Sequence, residues 1–392
     1  KSDKNKEIKN LLVSAYITSK DFKGALNYLD KNKSDVNQAT LQEVAYYRGI
    51  ELFNAQNFAL AIENFEKSLA NPVDSKTIAL ATYWKAESNY RLNNFTEALH
   101  NFKSFFDNSN ASNTEEFKTI HYNLGYTYFK LKDYPNAIRE FKLFDTQNTA
   151  LNFKDDSYLR IADSYFVTKK YANAIEYYKK SIESTKVRLD YAQFQIANCY
   201  GFLGKENAKI KELQSLLNKH LKSIYNDDAL YILGNSYIKQ QKNDDAIASF
   251  NQLISTYKRS PLVPKAILKK GLIYYNSNKN QEALTAYKKV VSQFPKSPEA
   301  QQAVKNAREI YVDLGKVDAY AKWVKTIDFV SVSNAELDDA TYEAAEKQYL
   351  LNNTKKAITN FKKYLESFNN GLHNLQANFY LGQLLTNTNQ EN

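Results

Sequence analysis

The residues of this chain that could act as bases, nucleophiles or metal ligands are few and scattered. The four histidines, His100, His121, His220 and His373, stand far apart. No two have the spacing that sets a pair of imidazoles on one helix face around a zinc ion. The single cysteine, Cys199, excludes an internal disulfide. Its sequence neighbours supply no cation to stabilise a thiolate, so it reads as a small apolar packing residue. Adjacent carboxylates, which could share a proton in acid–base work, occur at Asp155-Asp156, Asp227-Asp228, Asp244-Asp245 and Asp338-Asp339. Each pair falls near an expected helix start, where acids meet the amide dipoles of the first turn. There is no glycine-rich phosphate loop with a following lysine, no His-Glu-x-x-His and no nucleophile elbow. With no constellation to divide the roles, an enzyme is not expected, and no catalytic, cofactor or metal site is assigned.

The formal net charge of +10 raises the question of nucleic acid. Lysine greatly outnumbers arginine, and the lysines often stand beside acids, as in Glu66-Lys67 and Glu346-Lys347. Phosphate and base recognition leans on arginine and on clustered positive charge, so nucleic acid is not an expected partner. No apolar run is long enough to cross a bilayer, so this chain is not expected to insert into a membrane. What remains is the surface and the elements that shape it.

Those elements repeat. Ala61, Ala98, Ala137, Ala174, Ala246, Ala283 and Ala357 recur at about 37 residues or twice that, the period of a stacked helical array. Twelve residues before each stands a small residue: Gly49, Ala86, Gly125, Ala162, Gly234, Gly271 and Ala345. Four residues after each stands a ring: Phe65, Phe102, Phe141, Tyr178, Phe250, Tyr287 and Phe361. This predicts a helical hairpin in which the small residue lets two backbones approach and the ring fills the space toward the next hairpin. Polar turns such as Gln56-Asn57, Asn93-Asn94, Lys132-Asp133, Asn278-Lys279-Asn280 and Asn352-Asn353 separate the two helices.

In this detail the chain resembles the tetratricopeptide repeat (TPR) family. One copy runs Leu124-Gly125-x-x-Tyr128, Asp133-Tyr134, Ala137-x-x-x-Phe141. Another runs Leu233-Gly234-x-x-Tyr237 and Ala246-x-x-x-Phe250, and a third Gly271-x-x-Tyr274, Ala283-x-x-x-Tyr287 and Pro295. The resemblance implies an all-α, right-handed superhelical solenoid of about ten hairpins spanning 1–392 as one domain. Two copies are degenerate. Near 190–222 the alanine, Ala208, comes one place early and Leu213 replaces the ring. Near 299–335 only Tyr311, Gly315 and Ala319 mark the hairpin. The segments Ser255–Pro261 and Ser292–Pro298 are expected to be extended links that absorb the residues beyond the usual period of about 34. Such links resemble those of Gram-negative envelope TPR proteins, notably the Tol-Pal coordinator and outer-membrane assembly lipoprotein families.

In that family the first helices of successive hairpins line the concave face where partners lie. The matching positions here are three before, one after and four after the small residue. They hold Tyr46, Phe53, Tyr83, Tyr90, Tyr122, Tyr126, Phe129, Phe166, Phe194, Tyr231, Tyr275, Tyr342 and Tyr349. The candidate partner contacts are Tyr83, Tyr90, Tyr122, Tyr126, Phe129, Phe166, Tyr231, Tyr275, Tyr342 and Tyr349, densest from Tyr83 to Phe129. Two roles compete for each ring: packing between layers, or a flat amphipathic surface for a peptide. A carboxylate clamp of the chaperone-docking type is not expected. The inward Asn235 is accompanied by Tyr231 where such a clamp needs lysine, and the matching arginines are missing.

The expected function is a non-enzymatic scaffold that binds a protein or peptide segment along the concave face in a Gram-negative envelope assembly, periplasmic or outer-membrane-associated. The alternative is a ligand- or peptide-sensing TPR domain of a cytoplasmic regulatory protein. Self-association through Gly382–Asn392 is a third reading. The first residue, Lys1, the absence of methionine and a last copy that stops near Leu381-Gly382 lead to the expectation of a fragment of a longer protein.

Overall fold

A computed structural model describes residues 2–32, 37–147, 151–184 and 188–387. Among these residues there are 21 α-helices, two 3-10 turns at Ala111–Asn113 and Glu116–Thr119, and no strand. The chain divides into two compact units, Lys1–Glu212 and Leu213–Asn392. The first holds α1 (Ser2–Thr18), α2 (Phe22–Lys31), α3 (Gln38–Asn54), α4 (Phe58–Leu69), α5 (Ser75–Arg91), α6 (Phe95–Phe106), α7 (Ile120–Lys130), α8 (Tyr134–Gln147), α9 (Leu151–Val167), α10 (Tyr171–Ser184) and α11 (Leu189–Phe202). The division falls within α12 (Glu206–Lys219), in the degenerate copy at 190–222. The second unit holds α13 (Asn226–Lys239), α14 (Asn243–Thr256), α15 (Val263–Asn276), α16 (Asn280–Gln293), α17 (Pro298–Asp313), α18 (Val317–Val324), α19 (Asn334–Leu350), α20 (Thr354–Ser367) and α21 (Asn374–Asn387).

Odd and even helices pair because each turn between them closes in the same way. One residue takes the left-handed conformation: Lys20, Gln56, Asn93, Lys132, Lys169, Gly204, Gln241, Asn278, Gly315 or Asn352, with φ between 56° and 69°. The next N–H then donates to the carbonyl five residues back, as from Asn57 to Leu52 at 2.8 Å and from Asp133 to Tyr128 at 2.9 Å. This is the Schellman arrangement, which satisfies carbonyls left over at the end of the first helix. Left-handed backbone costs a residue with a Cβ about 1 kcal/mol or more. Glycine relieves that cost only at Gly204 and Gly315, in the two degenerate copies.

The repeated alanines are fully buried, and in the four copies whose small residue is glycine the ring of the second helix is seated on it. A methyl on Gly49 or Gly234 would lie 2.5 Å from Phe65 or Phe250, and one on Gly125 2.8 Å from Phe141. At Gly271 the approach of Tyr287 is closer still. The expected role of the ring, toward the next hairpin, is therefore half of the story. Phe65 shares a core cluster with Ala81 of α5 as well as closing its own hairpin. On α21 the corresponding glycine, Gly382, has nothing within 4 Å of where its Cβ would stand.

The degenerate copies keep their volume by exchanging sizes. In α11–α12 the alanine place is taken by Lys209, 7% exposed, with its Nζ 2.6 Å from Glu206 Oε1. Its stem lies over Gly201, where a Cβ would meet Lys209 Cδ at 3.1 Å, and Leu213 fills the ring's place fully buried. In α17–α18 the alanine place is Tyr320, not Ala319, and the ring's place is Val324, both buried. Volume-conserving exchange of this kind is what packed cores tolerate best. The links correct another expectation. Residues 257–262 and 294–297 are tight turns, not extended segments, closed by Ser260 N–H to Tyr257 O and Ser297 N–H to Phe294 O, both at 2.9 Å. Much of the added length lies in first helices of 17 residues, such as α3, α5, α9 and α19.

Candidate partner-binding face

The rings expected on the inner face do lie on the first helices, and most are half-buried; Tyr83 and Tyr342 are buried, at 7% and 6% exposure. Their contacts explain the burial. Phe53, Tyr90, Phe129 and Phe166 each meet, edge to face, the ring just past the turn: Phe58, Phe95, Tyr134 and Tyr171, with centroids 5.3 to 5.8 Å apart. These four pairs clasp successive turns. Tyr83 rests on Phe102 and Phe105, Tyr122 and Tyr126 on Phe141, and Tyr231 on Phe250. In the second unit Tyr342 packs on Phe361 and Tyr349 on Tyr380.

Several hydroxyls tie one first helix to the next. Tyr122 donates to Asp156 Oδ2 at 3.0 Å, and Tyr126 donates to the same oxygen. Tyr275 donates to Asp313 at 2.6 Å and Tyr349 to Gln383 at 3.1 Å. Burial pushes the Tyr90 and Tyr126 phenols up to about 12, so both stay neutral donors at ordinary pH.

A charged network on α9, which sequence reasoning missed, stands beside these rings. Arg160 Nε donates to Tyr126 OH at 3.0 Å and Nη1 to Asp163 at 2.8 Å, while the guanidinium lies over the Tyr126 and Phe129 rings. Asp163 also accepts from Tyr178 at 2.8 Å and Tyr191 at 2.7 Å. The signal was the spacing of Asp156, Arg160 and Asp163, which sets all three on one helix face. Reading Asp155-Asp156 as a helix start hid it. That pair and Asp338-Asp339 lie beyond the first turns of α9 and α19. Asp338 is buried, accepting from Tyr364 OH at 2.6 Å and Leu372 N–H at 2.8 Å. Asp227-Asp228 and Asp244-Asp245 do occupy first turns, those of α13 and α14.

Between α5 and α7 the face opens into a cavity of about 210 Å³, lined by Glu87, Tyr90 and Arg91, by Tyr122, Asn123 and Tyr126, and by Phe102 of α6. Asn123 Nδ2 donates to Glu87 Oε1 and, at 3.2 Å, to Tyr83 OH. Asn123 Oδ1 is buried with no hydrogen-bond partner. Burial raises the Glu87 carboxyl above the ordinary carboxylate range against the opposing pull of Arg91. Four of the candidate contacts, Tyr83, Tyr90, Tyr122 and Tyr126, thus stand in or directly behind one recess.

Elsewhere, Asn235 donates to its own helix at Tyr231 O, 2.8 Å away. Cys199 is fully buried and its thiol is pushed up to about 12 by burial, so no reactive thiolate forms there. Among the described residues no group of three or more His, Cys, Asp and Glu side chains could hold a metal, and no helix is long and apolar enough to cross a membrane. Residues 388–392, the end of the segment considered for self-association, lie outside the described residues.

Stacked helical hairpins with an aromatic, partly open first-helix face define a helical repeat protein. Two tetratricopeptide repeat family models match, one at residues 46–104, 85–147 and 231–309 and the other at 155–186. Together they cover just over half of the chain, which belongs to the tetratricopeptide repeat family. Members of that family are generally non-enzymatic protein–protein interaction scaffolds. No curated protein matches the sequence. Among solved structures, the C-terminal part of a TPR repeat-containing protein from Cytophaga hutchinsonii is similar at 17% identity and a TM-score of 0.55, over 66% of this chain and 98% of that one. The apo form of RapI is similar at 15% identity and a TM-score of 0.50, over 92% of this chain and 96% of that one. At such identities the likeness is one of fold.

Proposed function

We propose that this chain is a non-enzymatic scaffold that holds a peptide segment of a partner protein against its first-helix face, with the recess between α5 and α7 as the anchoring point. The observation that carries the reading is the joining of half-buried rings with unsatisfied polar capacity in that recess: Tyr90, Tyr122 and Tyr126 around Glu87 and Asn123 Oδ1. A buried acceptor without a donor calls for an explanation, and a donor on a bound segment would supply one. Flat aromatic walls with a few aimed polar groups are what a peptide anchor needs. Placement in a bacterial envelope assembly is supported by the sequence likeness of the proline-bearing links, and belongs to the same proposal.

The test is affinity capture from envelope and cytosolic fractions, with the parent chain beside a Tyr90→Leu, Tyr126→Leu variant. Leucine keeps apolar volume while removing the flat ring and hydroxyl; Tyr83 is left alone because its burial makes it a packing residue. A partner held by the parent and lost by the variant, with the circular dichroism of both alike, is the expected result. Equal retention by the folded variant would overturn the assignment of this face, and a partner found only in the cytosol would overturn the envelope placement.

A further inference from the structure

Resting on that reading of the first-helix face, we propose that the recess between α5 and α7 is a pocket for the ammonium group of a lysine side chain on the partner. At about 210 Å³ it falls below the about 300 Å³ at which whole small-molecule sites begin, and it suits a single side chain. The donors that line the recess do not reach its acceptors, since the Tyr122 and Tyr126 hydroxyls are spent on Asp156. Glu87 Oε1 accepts from Asn123, but Glu87 Oε2 has only Arg91 Nε at 3.8 Å, beyond hydrogen-bond reach, on a side chain 56% exposed to water. Asn123 Oδ1 has no partner at all. The amide orientation follows from its neighbours, because the nitrogen faces the carboxylate, and this leaves the buried oxygen without a donor.

An ammonium brings three donors and a positive charge to a carboxylate that has one oxygen without a hydrogen bond, and its methylene stem would lie along Tyr90, Tyr122 and Tyr126. A guanidinium fits less well. Its planar fork binds carboxylates through both oxygens, and one oxygen of Glu87 is already taken by Asn123. A neutral apolar side chain would cover Asn123 Oδ1 and Glu87 Oε2 without satisfying either.

The probe is n-butylammonium, a lysine side chain without its backbone, titrated into the full chain while the side-chain amide resonance of Asn123 is followed by NMR. We expect a saturable shift, weakened about tenfold or more in Glu87→Gln, which keeps the shape of the side chain and removes its charge. Tyr237→Phe, in the second unit and outside the candidate contacts, should leave the titration unchanged. n-Propylguanidinium and n-butanol, run alike, should bind several-fold more weakly. An equal response to n-butanol, or an unchanged curve in folded Glu87→Gln, would overturn the pocket. The same variant separates this proposal from the one it rests on: a partner still captured by Glu87→Gln through Tyr90 and Tyr126 overturns the lysine pocket and leaves the scaffold standing.

Discussion

Two carboxylates approach α7 from different sides, and they are held in opposite ways. Glu140, on α8, accepts from His121 Nδ1 at 2.7 Å and from Arg139 at 2.8 Å, inside the hairpin. Glu87, on α5, receives the Asn123 amide and a distant Arg91, at the seam between hairpins. Both side chains are nearly enclosed, 8% and 13% exposed. Burial works to raise both, and donors decide the sign. At Glu140 the bonds from His121 and Arg139 overcome burial and hold the carboxyl below its ordinary value; at Glu87 burial prevails and the carboxyl is raised. One contact is complete and serves the fold. The other is incomplete, and that incompleteness is what makes it a place for something else.

The largest effect should come from breaking the complete contact. Glu140→Ala strands His121 in the hairpin core and should cost about 3 kcal/mol of stability, read from the urea unfolding midpoint, whereas Glu87→Ala should cost less than about 1 kcal/mol. Equal losses would erase the distinction. The pH dependences sharpen it next. Glu140 is depressed in the folded chain, so its stability is present above the unfolded value of about 4.3 and drains away as the pH falls through its folded value. Glu87 is raised, so its contribution is full below that unfolded value and is lost as the pH rises through its folded value. Glu87→Gln should therefore raise the thermal midpoint at about pH 8 and lose this advantage at about pH 4, and a gain that is the same at both would sink the assignment.

A smaller effect belongs to the second unit, where Tyr275→Phe removes a single phenol-to-carboxylate bond and should cost about 1 kcal/mol. The smallest is a gain. Lys132, at φ 62° in the turn between α7 and α8, carries a Cβ that the left-handed region disfavours, and Lys132→Gly should stabilise by a few tenths of a kcal/mol after the added freedom of the unfolded chain is counted. Calorimetry showing a loss would mean that the lysine side chain supports the turn in a way the backbone geometry does not explain.

Much of the architecture was legible because each element answers to a local rule. The alanine, small-residue and ring positions of seven copies all landed in the core, and Tyr83 to Phe129 came together on neighbouring first helices as their spacing implied. The degenerate copies were legible as hairpins but not in their contents: nothing near Ala208 announces that Lys209 will be buried over Gly201. The site was legible by half. Aromatic positions follow the repeat, whereas the pairing of Glu87 with Asn123 and the full Asp156–Arg160–Asp163 row each occur in one place and so left no periodic trace.

The sequence by itself determined that this is an all-α array of TPR hairpins, since period, small residues and rings depend only on how a chain pairs with its near neighbours. Which rings stay partly open, which carboxylate finds its donors and where a buried oxygen is left without one depend on side chains a full repeat apart. Those contacts were decided only when α5, α7 and α9 were stacked, because hydrogen bonds between successive copies need distances and angles that no spacing along the chain can supply.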